Sequence, residues 1–162
     1  MIKKLISIVS LMALVLSLGA CKSAKKSVGS YYTSEIECMG TELDGSETLL
    51  TWGTGKNKKD ALAQARKNAV KAVLFKGVTK GYNGCSMRPL ITEVNAMRKY
   101  EDYFNSFFKD GGAYTEFVSN KDTRKSSMTG EANNNQHKYG IVVRVLRAEL
   151  KNKLIEDNIL KN

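Results

Sequence analysis

Between Thr51 and Gly77 the chain reads TWGTGKNKKDALAQARKNAVKAVLFKG, and this stretch limits the fold more than any other. Ala61, Ala65, Ala69 and Ala72 recur at helical spacing, and Leu62, Val73 and Phe75 widen the apolar stripe. Asn57 can cap the helix start with Asp60 three residues on, and Gly77 suits the position just past its end. A helix over 58–75 is therefore predicted. Its alanine face has no long side chains, so it can approach a neighbour closely. The expected neighbour is a β-sheet.

The glycines before this helix invite comparison with phosphate-binding loops. In a G-x-x-x-x-G-K-[ST] loop ending at Gly55-Lys56, position 50 should be glycine and position 57 Ser or Thr. They are Leu50 and Asn57, so nucleotide chemistry is not expected. A G-x-G-x-x-G fingerprint fails at Lys58. Two readings of the stretch remain. Lys56, Lys58 and Lys59 stand where free N–H groups at a helix start favour an anion. Alternatively, Gly53 and Gly55 only turn the chain from strand to helix, and the lysines are solvated.

The rest of the pattern is α+β. Tyr31–Met39 and Thr48–Trp52 read as a hairpin around Asp44-Gly45. Residues 78–91 hold the single proline and read as a loop. Thr92 is expected to cap a helix over 93–109, with Val94, Met97, Tyr100, Phe104, Phe107 and Phe108 on one face and Gly111-Gly112 behind it. Residues 113–119 alternate as a strand, 120–136 form a polar loop, and Tyr139–Leu146 suit an inner strand. A helix near 147–159 closes the chain with Leu150, Leu154 and Ile155. Two to three helices on a mostly antiparallel sheet are expected, in one domain over 31–162.

The N-terminus carries an address. Lys3 and Lys4 precede an apolar run over 5–18, the length of a signal-peptide core and shorter than the roughly 20 residues of a membrane span. Leu18-Gly19-Ala20-Cys21 resembles the lipobox of bacterial lipoproteins. That resemblance implies a signal over 1–20, acylation of Cys21 and a tether over 21–30. Lys22, rather than an acidic residue, follows the cysteine, which implies attachment to the outer membrane, facing the periplasm.

Charge and cysteines are read in that light. Removing residues 1–20 takes two lysines from a net charge of +10, leaving +8. An exported protein of that charge meets anionic envelope polymers or head groups rather than nucleic acid. Cys38 and Cys85 remain once Cys21 is lipidated and can pair in an oxidising compartment. Catalytic groups are scarce: His137 is the only imidazole, and a Cys85–His137 pair lacks a third orienting group. No metal-ligand spacing appears, so neither metal, cofactor nor enzymatic activity is expected.

The glycine-flanked strand end followed by Asp60-Ala61, Ala65-Arg66 and Ala69 resembles the N-terminal domain of flagellar T-ring proteins. It is similar also to the small outer-membrane lipoproteins grouped with that domain. The resemblance covers only this stretch and the signal. It implies a non-enzymatic α+β envelope protein and transfers no catalytic residue. The aromatic run YEDYFNSFF and the glycine pair behind it depart from that pattern. The expected function is a lipid-anchored structural or accessory protein with protein partners in the envelope. The alternative is a module that binds an anionic polymer, cell wall or lipopolysaccharide, through its basic surface.

Overall fold

The computed structural model describes residues 36–82, 84–119, 129–133 and 136–161, all within the unit Tyr32–Asn162. The signal over 1–20, Cys21, the tether over 21–30 and the expected strand start at Tyr31 lie outside the described residues.

The hairpin forms as β1 (Ile36–Thr41) and β2 (Glu47–Gly55), antiparallel, with register running from Ile36↔Thr51 to Thr41↔Glu47. Asp44 organises the turn: its Oδ1 accepts hydrogen bonds from the Ser46 backbone N–H and hydroxyl. Those two bonds hold the Asp44 carboxyl below its ordinary pKa. Along β2, Glu47, Leu49, Thr51 and Gly53 are buried, while the residues between them are half-buried. The period of two gives the sheet a core face.

Helix α1 (Lys58–Phe75) starts and stops where its end signals place it. Asn57 Oδ1 accepts from the Asp60 N–H at 2.9 Å, and Asn57 Nδ2 donates back to Asp60 Oδ2. At the other end Gly77 takes φ +75°, and its N–H bonds the Ala72 carbonyl at 2.8 Å. A left-handed C′ glycine ends many helices in this way. Ala61, Ala65 and Ala69 are fully buried against the sheet. Thr51 Oγ1 donates to the Ala65 carbonyl at 3.1 Å, and Asn68 Nδ2 donates to the Trp52 carbonyl at 2.8 Å. Strand and helix are thus bonded as well as packed.

The second helix differs from expectation. Thr92 does not cap it. Asn95, at φ 62°, precedes a single turn, α2 (Ala96–Lys99), and the chain breaks at Tyr100 before α3 (Glu101–Phe107). A left-handed residue cannot sit inside a continuous right-handed helix, so no helix runs on from Thr92. Phe104, Phe107 and Phe108 are buried, but Val94 and Met97 are exposed.

Residues 113–119 also differ. Ala113–Phe117 is a 3-10 helix, and only Val118–Ser119 (β3) is strand. The Thr115 N–H and hydroxyl both bond the Gly112 carbonyl, which winds the segment tightly. Tyr114 and Phe117 are three residues apart and both buried, as three residues per turn requires.

The polar run is partly strand. Residues 120–128 lie outside the described set, but Thr129–Asn133 (β4) pairs antiparallel with β5 (Gln136–Val145). Backbone pairing to an open edge needs no apolar side chains, so alternation gave no sign of β4. Strand β5 is central, as its apolar content suggested. It pairs β2 from Glu47↔Val145 to Gly55↔His137, while β3 and β4 share its other edge. The sheet order is β1-β2-β5-β3, with β4 paired to β5. Helix α4 (Arg147–Glu156) follows and buries Leu150 and Leu154. The α+β arrangement, helices packed with an antiparallel sheet, matches the class expected from sequence.

Candidate functional site

The three lysines singled out at the start of α1 point to different places. Lys58 turns toward β5, its Nζ 5.2 Å from the centre of the Tyr139 ring. Lys56 and Lys59 instead line a cleft of about 590 Å3 with Lys67, Asp110 and Tyr114. The cleft lies between the first turns of α1 and the glycine bend that follows α3.

Lys67 and Lys71 were missed in the sequence reading, although their signal was present. Lys59, Ala63, Lys67 and Lys71 follow at four-residue intervals and so form one row on the helix. Aromatic rings hold two of them. Lys67 Nζ lies 5.6 Å from the Tyr114 ring centre, and Lys71 Nζ lies 5.0 Å from that of Phe108. Lys67 also bonds Asp110 Oδ1 at 2.7 Å; its side chain is 15% exposed, that of Asp110 94%. This bond lowers the Asp110 carboxyl pKa. Burial lowers the Lys71 pKa, and the charges of Lys67 and Lys76 lower it further.

The glycine corner is a packing device. A Cβ on Gly53 would overlap the backbone of Ala61 and Ala65, and one on Gly55 would meet Asp60 and Ala61. The helix start sits directly on the strand.

Cys38 and Cys85 form a disulfide with Cα atoms 5.8 Å apart, within the roughly 4.4–6.8 Å such bonds require. It pins the 78–91 loop to β1. Glu47 pins the same loop from β2: its Oε1 accepts from the Ser86 N–H at 2.9 Å. The Glu47 side chain is 2% exposed and meets Arg147 Nη1 at 3.7 Å. Arg147 Nη2 donates to the Arg88 carbonyl at 2.8 Å.

With its sulfur bridged, Cys85 is no free thiol. His137 stands on β5, one residue past the expected polar loop, and its ring stacks with Tyr139, centres 6.4 Å apart. Among the described residues, no group of three or more His, Cys, Asp or Glu could hold a metal, and no helix is long and apolar enough to cross a membrane. No family model matches the chain, and no curated protein or solved structure matches it either.

Proposed function

We propose that the chain is a lipid-anchored, non-enzymatic accessory protein of an envelope assembly, held at the outer membrane through Cys21 and facing the periplasm. One observation carries this reading: the Cys38–Cys85 disulfide occupies two of the three cysteines and leaves Cys21 outside the bridge. Disulfides persist in oxidising compartments, which is where a lipobox ending at Cys21 would deliver the domain.

Cross-linking in intact cells, followed by identification of the adducts, tests the accessory role. A small set of discrete adducts with envelope proteins is expected. Absence of any discrete protein adduct, with the protein itself abundant, would contradict it.

A further inference from the structure

The row of lysines on α1 has a geometry that solvation alone does not explain. Lys59, Lys67 and Lys71 stand on one side of the helix, and Lys56 lies at its head in the same cleft as Lys59 and Lys67. With a rise of 1.5 Å per residue, Lys59 and Lys71 are about 18 Å apart along the axis. Like charges four residues apart destabilise a helix, and Lys67 and Lys71 are such a pair. Their ammonium groups are held over Tyr114 and Phe108 rather than spread into solvent. Among the described residues, no carboxylate lies in ion-pair range of Lys56, Lys59 or Lys71.

Asp110 indicates the kind of group that fits this row. Its carboxylate sits 2.7 Å from Lys67 Nζ, yet its side chain is 94% exposed and the left-handed Gly111 follows it. A carboxylate from outside could approach along the same path and displace it. At about 18 Å the row is too long for one small anion to span, and it suits an extended chain of anionic groups.

We propose that the cleft lined by Lys56, Lys59 and Lys67, with Lys71 beyond it on the same helix side, docks an extended, carboxylate-bearing cell-wall polymer. Each ammonium meets one carboxylate, and Asp110 holds the place of one until the polymer arrives. The choice of polymer rests on the periplasm-facing placement proposed above, where the wall offers carboxylates along an extended chain, as the Asp110 carboxylate on Lys67 suggests.

The test uses the full chain, purified in detergent, and isolated cell-wall sacculi across a salt series. Retention that weakens as salt rises is expected, because exposed charges are screened. The Lys59→Gln, Lys71→Gln double variant should lose most of that retention, while Lys80→Gln, Lys151→Gln, with the same charge loss elsewhere, should keep it. Asp110→Asn should raise retention, since it removes the competing carboxylate. Sacculi whose carboxylates have been amidated should retain nothing. Equal loss in both double variants, undiminished binding to amidated sacculi, or equal displacement by duplex DNA would overturn the proposal. A melting curve for each variant confirms that the fold is intact. Lipid labelling of Cys21 is a separate measurement, so the anchor and the groove fail separately.

Discussion

Gly53 of β2 lies directly beneath Ala65 of α1, so close that a Cβ on Gly53 would overlap the Ala65 backbone nitrogen. Both are fully packed, with Ala65 at 0% exposure. Hydrogen bonding reinforces the contact, since Thr51 bonds the Ala65 carbonyl. A helix can rest on a sheet this closely only if both surfaces lack side-chain bulk where they cross.

Gly53→Ala should therefore cost about 3 kcal/mol, the upper end for overpacking, because the obstructing atoms are backbone and cannot swing aside. Ala69→Leu should cost about 1–3 kcal/mol for the same reason. Lys58→Ala, whose side chain reaches outward to Tyr139, should change stability little. Chemical denaturation measures all three. A neutral Ala69→Leu would mean the alanine face is not packed on the sheet.

The alanine helix was legible because its period, cap and stop signals agree, and all act within a few residues. The central place of β5 was legible from its apolar content. What escaped depends on distant contacts or single backbone angles. Nothing local announces that Asn95 adopts φ 62° and delays the helix. Residues 113–119 read as a strand, and the three-residue spacing of Tyr114 and Phe117 became informative only once both were seen buried. The lysine row was readable at intervals of four, but the pairing of Lys67 with Asp110, 43 residues away, was not.

The Glu47–Arg147 contact supplies a second test. Removing one partner of a buried pair strands the other's charge, and losses of about 3–5 kcal/mol are typical. Arg147 keeps 18% exposure, so Arg147→Met should fall near the lower bound, about 3 kcal/mol. Combining it with Glu47→Gln should cost less than the sum of the two singles. A strictly additive double-mutant cycle would show that the two side chains do not interact.

Replacing Cys38 and Cys85 together by serine opens a loop spanning a sequence separation of 47. The loss should be about 2–4 kcal/mol. Thiol-blocking mass spectrometry of unreduced protein should find neither residue modified. Labelling of Cys85 in folded, unreduced protein would contradict the bridge.

Acid sensitivity should be traceable to Asp157. Burial pushes its carboxyl pKa up, but bonds from Lys153 and from Tyr103, whose hydroxyl lies 2.7 Å away, outweigh it and leave it lowered. A lowered folded pKa gives stability that is present above the unfolded value of about 3.9 and is lost as pH falls through the folded value. Asp157→Asn should be less stable than the parent at neutral pH. The gap should close below about pH 4. A gap that stays constant in melting temperatures from pH 7 to about pH 2 would contradict this assignment.

Metabolic labelling with palmitate, followed by membrane fractionation, bears most directly on the lipid anchor. The parent protein should take up label and sediment with the outer membrane, and Cys21→Ser should lose the label and leave that fraction. A Cys21→Ser protein that still carries palmitate, or a parent protein that never does, would contradict the anchored accessory role.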